Sequence, residues 1–326
     1  MRRGVWLTAA LALLLVAVLA APASVGAEPA YRIVATTGQV ADLARNVAGE
    51  RAEVTGLLGE GVDPHLYKLT RSDIAKLMGA DLVLYSGLLL EGKMTDALVR
   101  VANAGKPVYA VTEALDEGED LLEPAQFAGQ YDPHVWMDAG LWAKAAEGLR
   151  DRLSDYDPEG ASAYAANTEA YLEELRKLDG YVRRVLGSIP EAARVMVTAH
   201  DAFNYFGRAY GLEVLGIQGI STESQAGLRE IEALVGLLVE RRVPAVFAET
   251  SVSERNLRAL MEGAAARGHR VVLGGKLFSD AMGAPGTYEG TYIGMLDHNA
   301  TTVALALGGE APPKGLRGEL SGVETQ

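Results

Sequence analysis

The 326-residue sequence predicts an α/β protein of two lobes, each a four-stranded parallel sheet flanked by helices, joined by one long rigid helix. Three observations carry this. After an N-terminal leader about 300 residues remain, more than one hydrophobic core usually serves. Four short apolar runs alternate with helical stretches in the first half and again in the second, the rhythm of parallel strands covered on both faces. Between the halves lies one amphipathic segment long enough to cross both.

Taken in order, the chain opens with Arg2 and Arg3, an apolar run over residues 5–21 and small residues up to Ala27, the pattern of an export signal cut after Ala27. A membrane anchor would need roughly 20 apolar residues and a stop-transfer flank. There is no cysteine, so the chain offers neither a disulfide nor a thiol for a lipid anchor. A periplasmic protein that is not a lipoprotein is expected, with residues 1–27 as signal peptide, 28–157 as the first lobe, 158–187 as the linking helix and 188–326 as the second lobe. Loss of Arg2 and Arg3 moves the formal charge from −13 to −15. That balance disfavours nucleic acid and anionic membrane as partners and gives cations a favourable field.

In the first half, strand-like runs at 32–37, 52–57, 81–85 and 107–111 alternate with helical stretches near 39–47, 71–78 and 92–103. A long loop follows. Asp157 then stands as an N-cap before Pro158, and Tyr164, Tyr171, Leu172, Leu175, Leu178 and Val182 recur at helical spacing through about residue 186. In the second half, runs at 194–198, 212–217, 245–249 and 270–273 alternate with helical stretches near 202–210, 228–240 and 254–267.

Three of the five histidines sit in short polar segments after strand-like runs, and an aspartate sits in a fourth. They are His65 in Asp63-Pro64-His65, His134 in Asp132-Pro133-His134, His200 in Thr198-Ala199-His200-Asp201 and Asp280 in Phe278-Ser279-Asp280. Imidazole and carboxylate are ligands that divalent first-row metals take, and four complete a shell. Ligands of open parallel sheets bind beyond the carboxyl ends of the strands, so two facing lobes would bring these segments into one cleft. The repeated Asp-Pro-His adds weight, because proline fixes the backbone before the imidazole and the aspartate can bond the local backbone or the ring. Any single histidine is more often an ordinary hydrogen-bonded residue. His269, between arginines, reads as a solvated turn residue and His298, in the final helix, as structural.

Gly61-Val62-Asp63-Pro64-His65-Leu66-Tyr67 with Thr70-Arg71-Ser72-Asp73, then Asp132-Pro133-His134-Val135-Trp136-Met137-Asp138, then Thr198-Ala199-His200-Asp201-Ala202-Phe203-Asn204, then Ile220-Ser221-Thr222-Glu223 and Leu277-Phe278-Ser279-Asp280 resemble the periplasmic manganese/zinc solute-binding proteins of ABC transporters. The resemblance covers nearly the whole mature chain in order. It implies two four-stranded lobes joined by a rigid helix and one buried metal, Mn2+ or Zn2+, held by His65, His134, His200 and Asp280. It also implies a monomer that delivers this metal to a membrane permease with its ATPase. Zinc-dedicated relatives commonly carry a histidine-rich loop before the second ligand, whereas residues 116–130 here contain none; many manganese-dedicated relatives have glutamate where His200 stands. Manganese is the expected physiological cargo, with zinc binding tightly as well.

Two other classes compete. A zinc hydrolase would hold its metal by three histidines and need a general base, for which Glu249 and Asp201 are the attractive residues. An exported adhesin could use the metal for stability alone. Glu223 and Asp201 are also candidates for orienting imidazoles, and Arg71, Tyr67 and Trp136 are expected to pack or hydrogen-bond around the site. Gly283 and Gly286 are expected to let the Asp280 loop move.

Overall fold

The computed structural model describes residues 29–127, 129–223 and 225–322; the leader lies outside them. The first lobe contains β1 (Tyr31–Ala35), α1 (Gly38–Ala48), β2 (Ala52–Gly56), α2 (Arg71–Gly79), β3 (Leu82–Tyr85), α3 (Thr95–Asn103), β4 (Val108–Ala110) and α4 (Ala139–Tyr156). After α5 (Ala161–Gly187), the second contains β5 (Val195–His200), α6 (Asn204–Tyr210), β6 (Glu213–Gln218), α7 (Leu228–Glu240), β7 (Ala245–Glu249), α8 (Arg255–Ala266), β8 (Val272–Leu277) and α9 (Tyr292–Ala306). All pairings are parallel. The strand orders, β2-β1-β3-β4 and β6-β5-β7-β8, repeat one topology.

α4 goes beyond the sequence expectation, which placed a long loop after the fourth strand and named no helix between it and residue 158. Asp138 caps it by accepting from the Gly140 and Leu141 N–H groups, and Leu141, Trp142, Ala145, Ala146, Leu149 and Leu153 form its buried stripe. Ala145 and Ala146 stand in the middle of this stripe, so its contrast with the polar face is weak there. β8 runs past its expected end at residue 273, through Gly274 and Gly275 to Leu277. A Cβ at Gly274 would stand 2.8 Å from both Phe247 and Ala306, and one at Gly275 would stand 2.4 Å from Thr302. These glycines let α9 lie directly on the sheet.

The linking helix starts later than its proline indicated. Pro158–Gly160 is a 3-10 turn and the α-helix proper begins at Ala161. Asp157 makes no capping bond, because its carboxylate takes a two-pronged bond from Arg51 and the Tyr164 hydroxyl. With 27 residues α5 is about 40 Å long. It packs on α1 and α4 on one side of the molecule and on α6 and α9 on the other. Tyr164, Tyr171, Leu175, Leu178, Tyr181, Val182 and Val185 are its buried face. One apolar core therefore runs from Ile33 and Leu43 through α4 and α5 to Phe206, Phe247 and Leu296, while each sheet keeps a separate, smaller core on its outer face.

Candidate metal centre

His65 lies in the loop after β2, His134 in the loop after β4, His200 ends β5 and Asp280 follows β8. All four therefore come from carboxyl ends of strands or the loops beyond them, two per sheet. One ligand atom from each lies within 4.8 Å of all the others. All are buried: His134 and His200 are 0% exposed, Asp280 2% and His65 3%.

The spacing inside this cluster is informative. His65 Nε2 stands 3.4 Å from His134 Nε2; Asp280 places Oδ1 3.3 Å from His134 Nε2 and Oδ2 3.3 Å from His200 Nε2. His200 Nε2 and both Asp280 oxygens lack a hydrogen-bond partner of acceptable geometry. Ordinary N–H···O bonds are about 2.9–3.0 Å, whereas donors at 2.0–2.2 Å from one ion in a tetrahedral shell are about 3.4 Å apart. These atoms are spaced as ligands around a cation.

Their far sides are occupied. His134 Nδ1 faces Asp132 Oδ1 at 2.7 Å and His200 Nδ1 faces Glu249 Oε2 at 2.5 Å. Each carboxylate also accepts the backbone N–H of the same histidine, at 3.0 and 2.8 Å. A ring that donates from Nδ1 keeps the Nε2 lone pair for a metal, and its orientation is fixed. Trp136 packs edge-on to His134, centroids 5.3 Å apart. Its indole N–H and the Gln39 amide both donate to the Ser279 carbonyl, at 3.0 and 3.2 Å, which anchors the residue before Asp280 to the first lobe.

Charge in the cluster is uneven. Burial pushes His65 down to about 3, so it stands neutral. Burial opposes protonation of His134 and His200 too, but Asp132 and Asp280 push His134 up to about 9, and Glu249 and Asp280 hold His200 well above the usual imidazole range. Burial likewise opposes ionisation of Asp280, yet His200, His134 and His65 around it keep its carboxyl well below the usual carboxylate range.

Several expectations about neighbouring residues need correction. Asp201 turns away from the ring of His200, because successive residues at the strand end point to opposite sides; its Oδ1 accepts from the Gly216 N–H at 2.7 Å. Glu223 is exposed and pairs with Lys93 at 2.7 Å. Arg71 is exposed at the start of α2, and the Tyr67 hydroxyl donates to Asp73. Gly283 serves close packing: a Cβ there would stand 2.8 Å from the Glu289 backbone, and its N–H donates to Glu289 O at 2.8 Å. His269 is half-buried with Nε2 2.8 Å from Val243 O, and His298 bonds Lys276 O and packs on Phe278; neither joins the cluster. Glu249, a general-base candidate in the sequence, instead ends a fully buried strand and orients the His200 imidazole; its place at a strand end does not name that partner.

Comparison with known proteins agrees with this architecture. The sequence profile of the family described as ZnuA, zinc-uptake complex component A, periplasmic, matches residues 33–306. The manganese-binding lipoprotein MntA of Bacillus subtilis (strain 168) is 48% identical over 281 residues, 86% of this chain and 91% of that protein. The zinc-binding protein TroA of Treponema pallidum (strain Nichols) is 45% identical over 276 residues, 84% of this chain and 88% of that one. The solved structure of the periplasmic zinc-binding protein TroA from Treponema pallidum has a TM-score of 0.81 at 43% identity, covering 85% of this chain and 99% of that one. Over residues 33–306 this chain therefore belongs to the family described as ZnuA.

Proposed function

We propose that this protein binds one divalent transition-metal ion through His65, His134, His200 and Asp280 and delivers it to the membrane permease of an ABC transporter. The observation that carries the reading is the convergence of three imidazoles and both oxygens of Asp280 at ligand-to-ligand spacing in a buried cleft. Because Asp280 turns both oxygens inward, the site offers five donors, three nitrogens and two oxygens, one more than a closed tetrahedral zinc shell uses. That favours manganese as the physiological cargo. Three imidazoles still suit zinc, and the Irving–Williams order ranks it above manganese, so zinc binds tightly too. The two relatives, one manganese-binding and one zinc-binding, fit a site of this mixed character.

Hydrolysis is the weaker reading. Glu249, its best general base, is engaged by the backbone and ring of His200, and Asp201 by Gly216. The described residues contain no helix long and apolar enough to cross a membrane. Although the Bacillus relative is named a lipoprotein, this chain has no cysteine to carry such a lipid, which supports a free periplasmic protein. The test is metal analysis of protein purified without chelator, then competition between Mn2+ and Zn2+. One ion per chain is expected, with His65→Ala and His200→Ala weakening binding by orders of magnitude; unchanged affinity in either variant would remove the assignment.

A further inference from the structure

Both Asp-Pro-His turns use their aspartate in the same double way. Asp63 accepts the His65 backbone N–H through Oδ1 at 2.8 Å and the Thr222 hydroxyl through Oδ2 at 2.6 Å. Asp132 accepts the His134 N–H through Oδ1 at 3.0 Å and the Asn204 amide through Oδ2 at 3.0 Å. In each case one oxygen holds a histidine of the first lobe and the other reaches a residue of the second. Each carboxylate thus links the position of an imidazole to the closeness of the opposite lobe.

The two links differ in depth. Asp132 is 0% exposed, and its carbonyl also accepts from the buried Tyr205 hydroxyl at 2.8 Å. The Asp63 link lies nearer the surface: Asp63 is half-buried, although Thr222 is only 8% exposed. Leu66, beside His65, is 47% exposed, and the neighbouring cross-lobe ion pair of Lys93 and Glu223 is open to water on both sides, where such pairs contribute little. Both cross-lobe carboxylate bonds are part-buried, but Asp132 is enclosed and backed by the buried Tyr205 bond where Asp63 is not, so water competes more readily for the Thr222–Asp63 bond. The turn also presses on the second lobe, since a Cβ at Gly61 would stand 3.3 Å from the Thr250 carbonyl.

We infer that Thr222 is a positioning residue that sets how long the metal stays bound: its hydroxyl, on Asp63, holds the His65 turn against the second lobe, and breaking that bond frees His65 first. His134, His200 and Asp280 keep their places meanwhile, anchored by Asp132, Glu249, and the Gln39 and Trp136 bonds to Ser279. The metal then enters and leaves on the His65 side. This rests on the proposed ligand set.

The experiment is stopped-flow trapping of released Mn2+ or Zn2+ by excess chelator, with metal-free melting measured in parallel. A hydrogen bond to a charged group is strong enough that its loss should raise the dissociation rate of Thr222→Val about tenfold to a hundredfold. Stoichiometry should stay at one and the metal-free melting temperature should hold. Thr222→Ser, which keeps the hydroxyl, should restore slow release. Wild-type release from Thr222→Val, or equally fast release from valine and serine variants, overturns the positioning role alone. Failure of the unaltered protein to bind either metal overturns the ligand assignment beneath it.

Discussion

Asp280 faces His134 and His200 at 3.3 Å each, and in the metal-free site this carboxylate is balanced by protons on those two rings. His134 is pushed up to about 9 and His200 is also raised, against the opposing effect of burial. A metal entering at neutral pH must displace both protons, one from each ring. An unperturbed imidazole, near 6.5, would confine proton competition to acid pH; here the raised values extend it upward. Affinity is expected to increase with pH between about 6 and 8 by close to two decades per unit, with roughly two protons released per metal. His65, pushed down to about 3, adds nothing in that window. Calorimetry in buffers of different ionisation enthalpy counts the protons; a flat affinity from pH 6 to 8 would contradict this account. Glu249→Gln keeps the shape of the His200 partner but removes its charge, and should cost about 10- to 100-fold in metal affinity, read by competition titration. An unchanged affinity would demote Glu249 to packing.

At the scale of elements, most of the fold was legible because parallel strands buried on both faces write themselves as unbroken apolar runs: β5 and β7 are buried at every position. What escaped were places where a neighbour overrides the local signal. α4 hides behind small residues, and β8 continues through two glycines that only the approach of α9 explains. Of the four clustered residues, His65 and His134 were legible because their turns combine aspartate, proline and histidine, and His200 and Asp280 because they stand just past strand-like runs, whereas Glu249 was not, since an acid ending a strand has no local mark of its partner 49 positions away. One joint between elements carries a measurable consequence. Asp42 of α1 accepts from the Tyr292 N–H at the start of α9 at 3.2 Å. Burial, partly opposed by that bond and by Arg45, raises it from 3.8 to about 6. A raised folded-state value means its contribution is fully present below about pH 4 and lost as pH rises through 6. Asp42→Asn should therefore raise the melting temperature at pH 7.5, by up to about 3 kcal/mol in stability, and flatten the dependence between pH 4 and 6. A destabilised variant at pH 7.5 would show that the carboxylate is needed there.

For the whole molecule, the continuous core along α5 decides how the lobes behave. Sharp bending of α5 would break backbone hydrogen bonds worth about 1 kcal/mol each and uncover apolar side chains from both lobes. Metal-free and metal-bound protein should therefore share nearly one radius of gyration, about 19 Å for a compact chain of this size, with differences in hydrogen exchange confined to the loops around the cluster and largest in the one bearing His65. Solution scattering that reports a clear expansion on metal removal would refute this. The same shared core predicts one calorimetric unfolding transition rather than two, because the helices of both lobes, α1 and α4 on one side and α6 and α9 on the other, all pack on α5.

The edge-on contact of Trp136 with His134 gives the protein an optical reporter of its own state. The sequence has three tryptophans, Trp6, Trp136 and Trp142, and cleavage after Ala27 would leave two. Trp142 stacks on Tyr292, with ring centroids 5.4 Å apart, and not on a histidine of the cluster. Trp136 instead borders a ring that is cationic before metal arrives and neutral once its proton has gone. A protonated imidazole quenches indole emission and a neutral one does so far less, so Zn2+, which has no unpaired electrons, should brighten the mature protein on binding. Mn2+, being paramagnetic, should separate the two causes of intensity change. Trp136→Phe should abolish the brightening while leaving the emission of Trp142.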